Sequence, residues 1–325
     1  MATPQATHFS VLPVDVIDTI TQQLDTTRNA RASFLRLPHP RTSVPTLFLP
    51  YRRTASTSTS KYEWDILEVQ SVSPPGPRSW FLDEPGEGAV VADGKLLVMT
   101  PIDPAFILIP LLLAVRPADN GAGMFRPLDE VFDGAHEKVE NVTEEDLASL
   151  INLDCVAGAM RRICDVQDVT PELAVFRYSE SKLLEYLRKK TARLAEPRVS
   201  EISKTIVRSL AKDGLMDDGK EELLQLGRVK AACNIISQYI PPPLYATLLA
   251  SHNFAPLDAH IRSLADEQNA AMIPIKTKDT NRDEDGVAGK KRKGAKAEKP
   301  SNGVQKLQKA STKGMSKLST FFTKK

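Results

Sequence analysis

Val90-Val91-Ala92-Asp93-Gly94-Lys95-Leu96-Leu97-Val98 reads as two short apolar strands around a tight hairpin turn, because Asp-Gly supplies the positive-φ positions such a turn needs. Upstream of it, Thr46 to Tyr51 is an extended run bounded by Pro45 and basic residues, and Tyr62, Trp64 and Ile66 alternate with polar neighbours at the period of a half-buried strand. Roughly five short strands are expected over residues 31–100. That is few for a self-sufficient barrel, so open edges are expected to pair with another chain. Residues 1–30 carry Leu12, Val14, Val16 and Ile17, which fit either a strand or a coupling segment.

Downstream of the hairpin the pattern turns helical. Ala105 to Val115 is the most apolar run, interrupted by Pro110; at 11 residues it is too short to span a bilayer and reads as a buried core segment. Thr143-Glu144-Glu145-Asp146 resembles a capping box, with Leu147, Leu150 and Ile151 on one face behind it. Val156, Met160 and Ile163 suggest a second short helix, and Thr170-Pro171-Glu172 a further helix start. Residues 101–175 are therefore expected as a helical connector.

A compact helical unit fits residues 176–255. Leu183, Leu184, Leu187 and Leu194 share one stripe; Val199, Ile202, Ile206 and Leu210 share another, ended by Gly214. Ala232, Ile236, Tyr239 and Ile240 form a third, stopped by Pro241-Pro242-Pro243. Three helices of this size fit a small helical or winged-helix-like domain. The fold class is thus α+β, with a β-rich, barrel-forming N-terminal part that shares its edges with a partner.

Composition sets the limits. The chain has 325 residues, 41% hydrophobic and 26% charged, with a net charge of only +2. From Lys276 to Lys325, however, 15 Lys and Arg stand against 5 Asp and Glu, a net +10, which leaves about −8 on the first 275 residues. The body does not advertise nucleic acid by charge, whereas the tail attracts polyanions weakly and in a salt-sensitive way. Over residues 272–325 the hydrophobic periodicity vanishes, and the composition predicts a disordered basic tail. Cys155, Cys164 and Cys233 form no CxxC pair, which argues for a reducing compartment and against a disulfide framework. No secretory signal and no membrane association is expected.

Candidate chemistry is sparse. His8, His39, His136, His252 and His260 have no i, i+4 spacing and no neighbouring Cys, so no metal site is expected. No nucleotide cradle or nucleophile elbow is signalled. Asp217-Asp218 and Glu221-Glu222 could hold magnesium in principle, but their polar surroundings read as a solvated loop. No catalytic residue is assigned. Two tail features are sharper. Lys290-Lys291-Arg292-Lys293 resembles a nuclear import cluster, so the expected location is the nucleus. Met315, Leu318, Phe321 and Phe322 stand at i, i+3, i+6 and i+7, so one 3₁₀ or helical turn gathers Leu318, Phe321 and Phe322 into a plug. Their spacing resembles the PIP box that binds the replication sliding clamp (PCNA), with Met315 in place of the usual Gln.

The ordered combination of motifs resembles the ribonuclease H2 B-subunit family over nearly the whole chain. Arg78-Ser79-Trp80-Phe81, Thr100-Pro101-Ile102-Asp103-Pro104 leading into Phe106-Ile107-Leu108-Ile109, and Phe125-Arg126-Pro127-Leu128-Asp129 carry it. Tyr178-Ser179 and Ile236-Ser237-Gln238-Tyr239-Ile240-Pro241 add to it. The resemblance implies a heterotrimer in which the N-terminal strands interlace with the C subunit in a triple barrel that holds the catalytic A subunit. It implies a non-catalytic chain with no cofactor of its own, since the active-site carboxylates and magnesium belong to the A subunit. The complex would cleave RNA of RNA:DNA hybrids and incise at single ribonucleotides in DNA, reaching nucleic acid through the assembly. DNA contact through Arg188, Lys189, Lys190 and Arg193, which the family suggests, competes here with a solvated helix face because the body is net acidic. The alternatives are a different nuclear clamp-binding replication or repair adaptor without nuclease partners, and a standalone nuclease.

Overall fold

The computed structural model describes residues 9–26, 33–54, 62–73, 81–82, 90–91, 95–117, 123–171 and 173–272, which lie in one compact unit. The chain opens with strand β1 (Phe9–Val11) and helix α1 (Val14–Thr26), followed by β2 (Leu35–Pro38), β3 (Pro45–Thr54), β4 (Tyr62–Val72), β5 (Phe81–Leu82), β6 (Val90–Val91) and β7 (Leu96–Ile102). Of the residues read as a strand or a coupling segment, Val14, Val16 and Ile17 lie in helix α1, and Leu12 follows β1.

Five of these strands form a sheet in the order β1-β7-β4-β3-β2, antiparallel except for the parallel β1–β7 pair. The expected Val90–Val98 hairpin is corrected: Val90 and Val91 pair with Leu82 and Phe81, while Leu96 pairs with Val72 of β4 and Phe9 of β1. β7 takes its long ladder from β4, and seven paired residues there outweigh the two a local hairpin would offer. Residues 92–94, which carry the turn, lie outside the described residues.

Alternating side chains of the sheet point to opposite faces, and both faces are covered. Phe48 and Ile66 face the large core with Leu35, Leu37 and Ile102, while Leu49, Leu67, Tyr51, Val69 and Met99 pack beneath Val16 of α1. This departs from the half-buried strand read from the sequence. In β4, Ile66, Leu67 and Glu68 are all buried, because helices press on either side. The outer edge of β2 is met by a side chain, since Asp146 Oδ1 accepts from the Arg36 N–H at 3.2 Å.

Helix α2 (Pro104–Val115) is the buried apolar run; Asp103 caps it and Pro104 occupies its first turn, where a missing N–H costs nothing. Next come β8 (Arg126–Pro127), the short turns α3 (Leu128–Val131) and α4 (Ala135–Lys138), α5 (Glu144–Ile151), α6 (Asp154–Ile163), β9 (Cys164–Asp168) and β10 (Ala174–Tyr178). Thr143 Oγ1 accepts from the Asp146 N–H at 3.1 Å, as the capping box predicts, and Leu147 and Leu150 are buried behind it. Thr143→Ala is expected to cost about 1 kcal/mol of unfolding free energy in a denaturant titration.

The region read as a helical connector also carries a three-stranded sheet, β8-β10-β9. With the short turns α3 and α4 set aside, the order helix, strand, helix, helix, two-stranded hairpin over Pro104–Tyr178 is that of a winged helix, so this strand-bearing unit starts well before residue 176. The helix start read at Thr170-Pro171-Glu172 is corrected. Thr170 sits in the β9–β10 loop, where its carbonyl and hydroxyl oxygens both accept from the Leu173 N–H.

Helices α7 (Glu180–Leu194), α8 (Pro197–Ser200), α9 (Lys204–Lys212) and α10 (Glu221–Ile236) follow, then a 3₁₀ turn (Ser237–Tyr239), α11 (Pro242–Ala250) and α12 (Ala255–Met272). The Val199–Leu210 stripe is split between α8 and α9, leaving Ile202 79% exposed in the break. The triple proline both stops one helix and, with Pro242 in the first turn, begins the next. α10 lies close to its neighbours at Gly227, where a Cβ would meet Leu210 Cδ2 and Leu215 Cδ1 at 2.8 Å.

Candidate functional site

Of the motif residues singled out by sequence, Asp103, Phe106 and Tyr239 meet at the joint between the large sheet and the helices. Asp103, at the end of β7, accepts from the Ala105 N–H at 3.1 Å and so caps α2. Its carboxylate also receives the Tyr186 hydroxyl, Arg162 Nη2 at 2.9 Å and Lys190 Nζ at 2.5 Å. One side chain thereby ties the sheet to α2, α6 and α7. Burial pushes the Asp103 carboxyl up, but the hydrogen bonds from Lys190 and Tyr186 outweigh it and hold the group below the usual carboxylate range. Burial beside that carboxylate drives the Tyr186 phenol far up. Pro101 continues β7, paired with Leu67 of β4.

A second polar knot lies on β4. Glu68 is 1% exposed, and its Oε2 accepts from the Tyr239 hydroxyl at 3.1 Å and from Gln70 Nε2 at 2.9 Å. Tyr239 stands 171 residues away in sequence, in the 3₁₀ turn of the Ile236–Pro241 motif. Phe106 packs between the two knots, its ring 6.5 Å from Tyr186 and 5.7 Å from Tyr239. Two further motifs pack as well: Arg177 lies over Phe125 at 4.5 Å and Arg116 over Tyr178 at 5.3 Å.

Beside Asp103 opens a cleft of about 950 Å³ between the sheet and α6 and α7, with Trp64, Asp65, Cys155, Arg162, Lys190 and Arg193 in its walls. Its charges are mostly spent internally. Arg53 pairs with Glu63 and Asp65, and Arg162 and Lys190 share Asp103. Burial pushes the Cys155 thiol up to about 12, which removes thiolate chemistry near neutral pH.

Of the four basic residues weighed for DNA contact, Lys189, Lys190 and Arg193 line one groove with Arg161, Arg162 and Lys182, but most of these charges are paired. Lys189 pairs with Glu185 at 2.7 Å, Lys190 is bound to Asp103, the charge of Arg188 acts on His252, and Arg193 is exposed and lines the cleft. α6, which stands where a winged helix would present its reading helix, packs on β4 and α7, and its Arg161 and Arg162 are paired with Asp168 and Asp103. Asp217 pairs with Lys220, and Glu221 accepts from the Gly219 N–H. Among the described residues no three His, Cys, Asp or Glu side chains stand close enough to hold a metal ion.

Trp80, the basic cluster Lys290–Lys293 and the Met315, Leu318, Phe321 and Phe322 motif lie outside the described residues; Phe81 enters strand β5. Sequence reasoning missed Glu68, Tyr186 and Lys190 as partners of the joint. Only the charge of Glu68 within an apolar strand pattern could have flagged one of them.

Comparison with known proteins gives two matches in chain order. Residues 20–103 match the Ydr279p protein triple barrel domain, and residues 106–249 match the wHTH domain of the Ydr279p protein family, described as an RNase H2 complex component. The chain is 27% identical to the ribonuclease H2 B subunit of Schizosaccharomyces pombe over 303 residues, covering 90% of this chain and 94% of that protein. It is 30% identical to the Xenopus laevis protein of the same name over 116 residues, 35% of this chain and 32% of that protein. With the human one it shares 28% identity over 173 residues, 51% of this chain and 49% of that protein.

Proposed function

Because this chain belongs to the ribonuclease H2 B-subunit family, we propose that it is the architectural subunit that assembles with the A and C subunits and links them to the replication machinery. It is an accessory, non-catalytic subunit, and the active site lies on another chain of the complex. The observation that carries the reading is the ordered pair of family domains over residues 20–249, a triple barrel then a winged helix, joined through Asp103 and Glu68. A joint of that kind holds two modules in a fixed relation, which is what a scaffold needs.

In this reading the sheet supplies the barrel shared with the C subunit, the assembled barrel holds the A subunit, and magnesium serves the A subunit. The complex cleaves RNA of RNA:DNA hybrids and incises at ribonucleotides in DNA. Lys290 to Lys293 direct it to the nucleus, and the terminal Met315, Leu318, Phe321 and Phe322 motif tethers it to the sliding clamp. Nucleic acid is reached through the assembled complex, because the exposed basic side chains of α6, Arg161 and Arg162, are already paired with Asp168 and Asp103. Lys189→Ala with Arg193→Ala is accordingly expected to leave the salt slope of hybrid binding by the complex unchanged. A slope reduced by about 0.9 per lost phosphate contact would place these residues on the backbone.

Trp80→Ala and Phe81→Ala are expected to lower the yield of complex severalfold while turnover per assembled complex stays at the parent level. Full yield with dead enzyme would give these residues a catalytic role. The test of the reading as a whole is co-purification of the full chain. Two further subunits in equal amounts support it, and clamp alone without them favours the adaptor without nuclease partners.

A further inference from the structure

The polar knot at Glu68 includes a histidine whose two ring nitrogens do different work. His39 opens the turn between β2 and β3, and its Nδ1 accepts from the backbone N–H groups of Arg41 at 3.2 Å and Thr42 at 3.4 Å. A nitrogen that accepts carries no proton, so the neutral ring holds its proton on Nε2. That nitrogen stands 3.5 Å from Glu68 Oε1, and the ring stacks on Tyr239 with centroids 6.1 Å apart. The same carboxylate accepts from Tyr239 and Gln70 through its other oxygen. His39 thus sits where the β2–β3 turn, the buried carboxylate of β4 and the 3₁₀ turn of the helical part meet.

We propose that His39 is an acid-sensitive latch on this joint: neutral, it closes the turn and engages Glu68; protonated, it loses the turn and loosens the seat of Tyr239. The second proton has to go onto Nδ1, the atom aimed at two N–H donors. Both hydrogen bonds are then replaced by two donor–donor contacts between a half-buried ring and an exposed turn, and the Arg41 guanidinium adds like charge nearby. Glu68 is the opposing influence, since its charge favours the protonated ring across 3.5 Å. Tyr239 and Gln70 bring no charge to the cluster. Burial is the largest effect on the ring; together with Arg41 it outweighs Glu68, so His39 titrates below its ordinary 6.5. The stability tied to the neutral ring is therefore present above 6.5 and lost as pH falls from there through the lower value in the folded chain. Each unit between the two values is a factor of about ten in the folding equilibrium.

The experiment compares the full-length chain with His39→Asn from about pH 7.5 to about pH 5, the range in which a histidine switches. Asn keeps an acceptor oxygen for the turn but does not titrate. Thermal melting and amide exchange over residues 36–44 and 236–241 are read at matched pH. The parent is expected to lose melting temperature relative to His39→Asn as pH falls, with exchange in both segments rising in the parent alone. Parallel pH profiles for the two proteins would overturn the latch. Should the variant fold poorly, the ring nitrogens of the parent decide by NMR. An Nε2–H tautomer titrating below 6.5 supports the latch, and an Nδ1–H tautomer or a midpoint at or above 6.5 overturns it.

Discussion

Replacing Phe321 and Phe322 together with alanine is expected to abolish retention of the complex on the sliding clamp, with assembly and hybrid cleavage at parent levels. Two aromatic rings can bury roughly 300–500 Å², on the order of 8 to 12 kcal/mol gross at about 25 cal/mol per Å². Ordering a tail segment takes back about 2–5 kcal/mol, and association takes more. The neighbouring lysines chiefly speed encounter with an acidic partner. Affinity is therefore moderate, and the loss of both rings leaves nothing to replace them. Clamp pull-down equal to the parent would remove the motif assignment. A fall in cleavage by the isolated complex would show that the tail does more than tether.

Asp103→Ala is expected to destabilise the body by about 2–4 kcal/mol, from a lost helix cap at about 1 kcal/mol and charge-assisted hydrogen bonds at about 1.5–3 kcal/mol in a partly exposed cluster. The substitution removes the cap of α2 and leaves the Tyr186 hydroxyl, Lys190 and Arg162 without their common acceptor. Asp103→Asn keeps the capping oxygen and loses the charge, so it should fall between the alanine variant and the parent. The carboxyl is held below its ordinary value of 3.8, so its contribution is present above that pH and lost as pH falls through the lower folded value. Denaturant titration of the full chain measures both variants. An alanine variant as stable as the parent would mean that the cluster is not what joins the sheet to the helices. Cleavage per assembled complex should not change, since Asp103 stands at a structural joint.

Much of the architecture was legible where a local rule decides the outcome. Thr143 announces α5 because a hydroxyl at that position can satisfy a free N–H, and Ala105 to Val115 announces a buried segment by its apolar run. The strands around Thr46–Tyr51 and Tyr62–Ile66 were legible from their residue types. What was not legible depended on partners distant in sequence. Val90 and Val91 carry the signature of one hairpin, yet β7 pairs with β4 and β1, because a long ladder outweighs a short turn. Thr170-Pro171 fits a helix start equally well as a wing loop, and only the pairing of β9 with β10 separates the two. The Leu-rich stripe of α7 was visible, but not that Tyr186 and Lys190 on the same helix would reach Asp103, 83 residues away for the tyrosine. Among the described motif residues, Asp103, Phe106 and Tyr239 have packing roles at the joint.

Reconstitution tests the account most directly. The full chain, with magnesium and an RNA:DNA hybrid, is compared with the same chain mixed with the A and C subunits of ribonuclease H2. The account predicts no turnover by the chain alone, and on mixing an active complex containing one copy of each of the three proteins. Turnover by the isolated chain, or a fully active assembly of the A and C subunits from which this chain is absent, would contradict it.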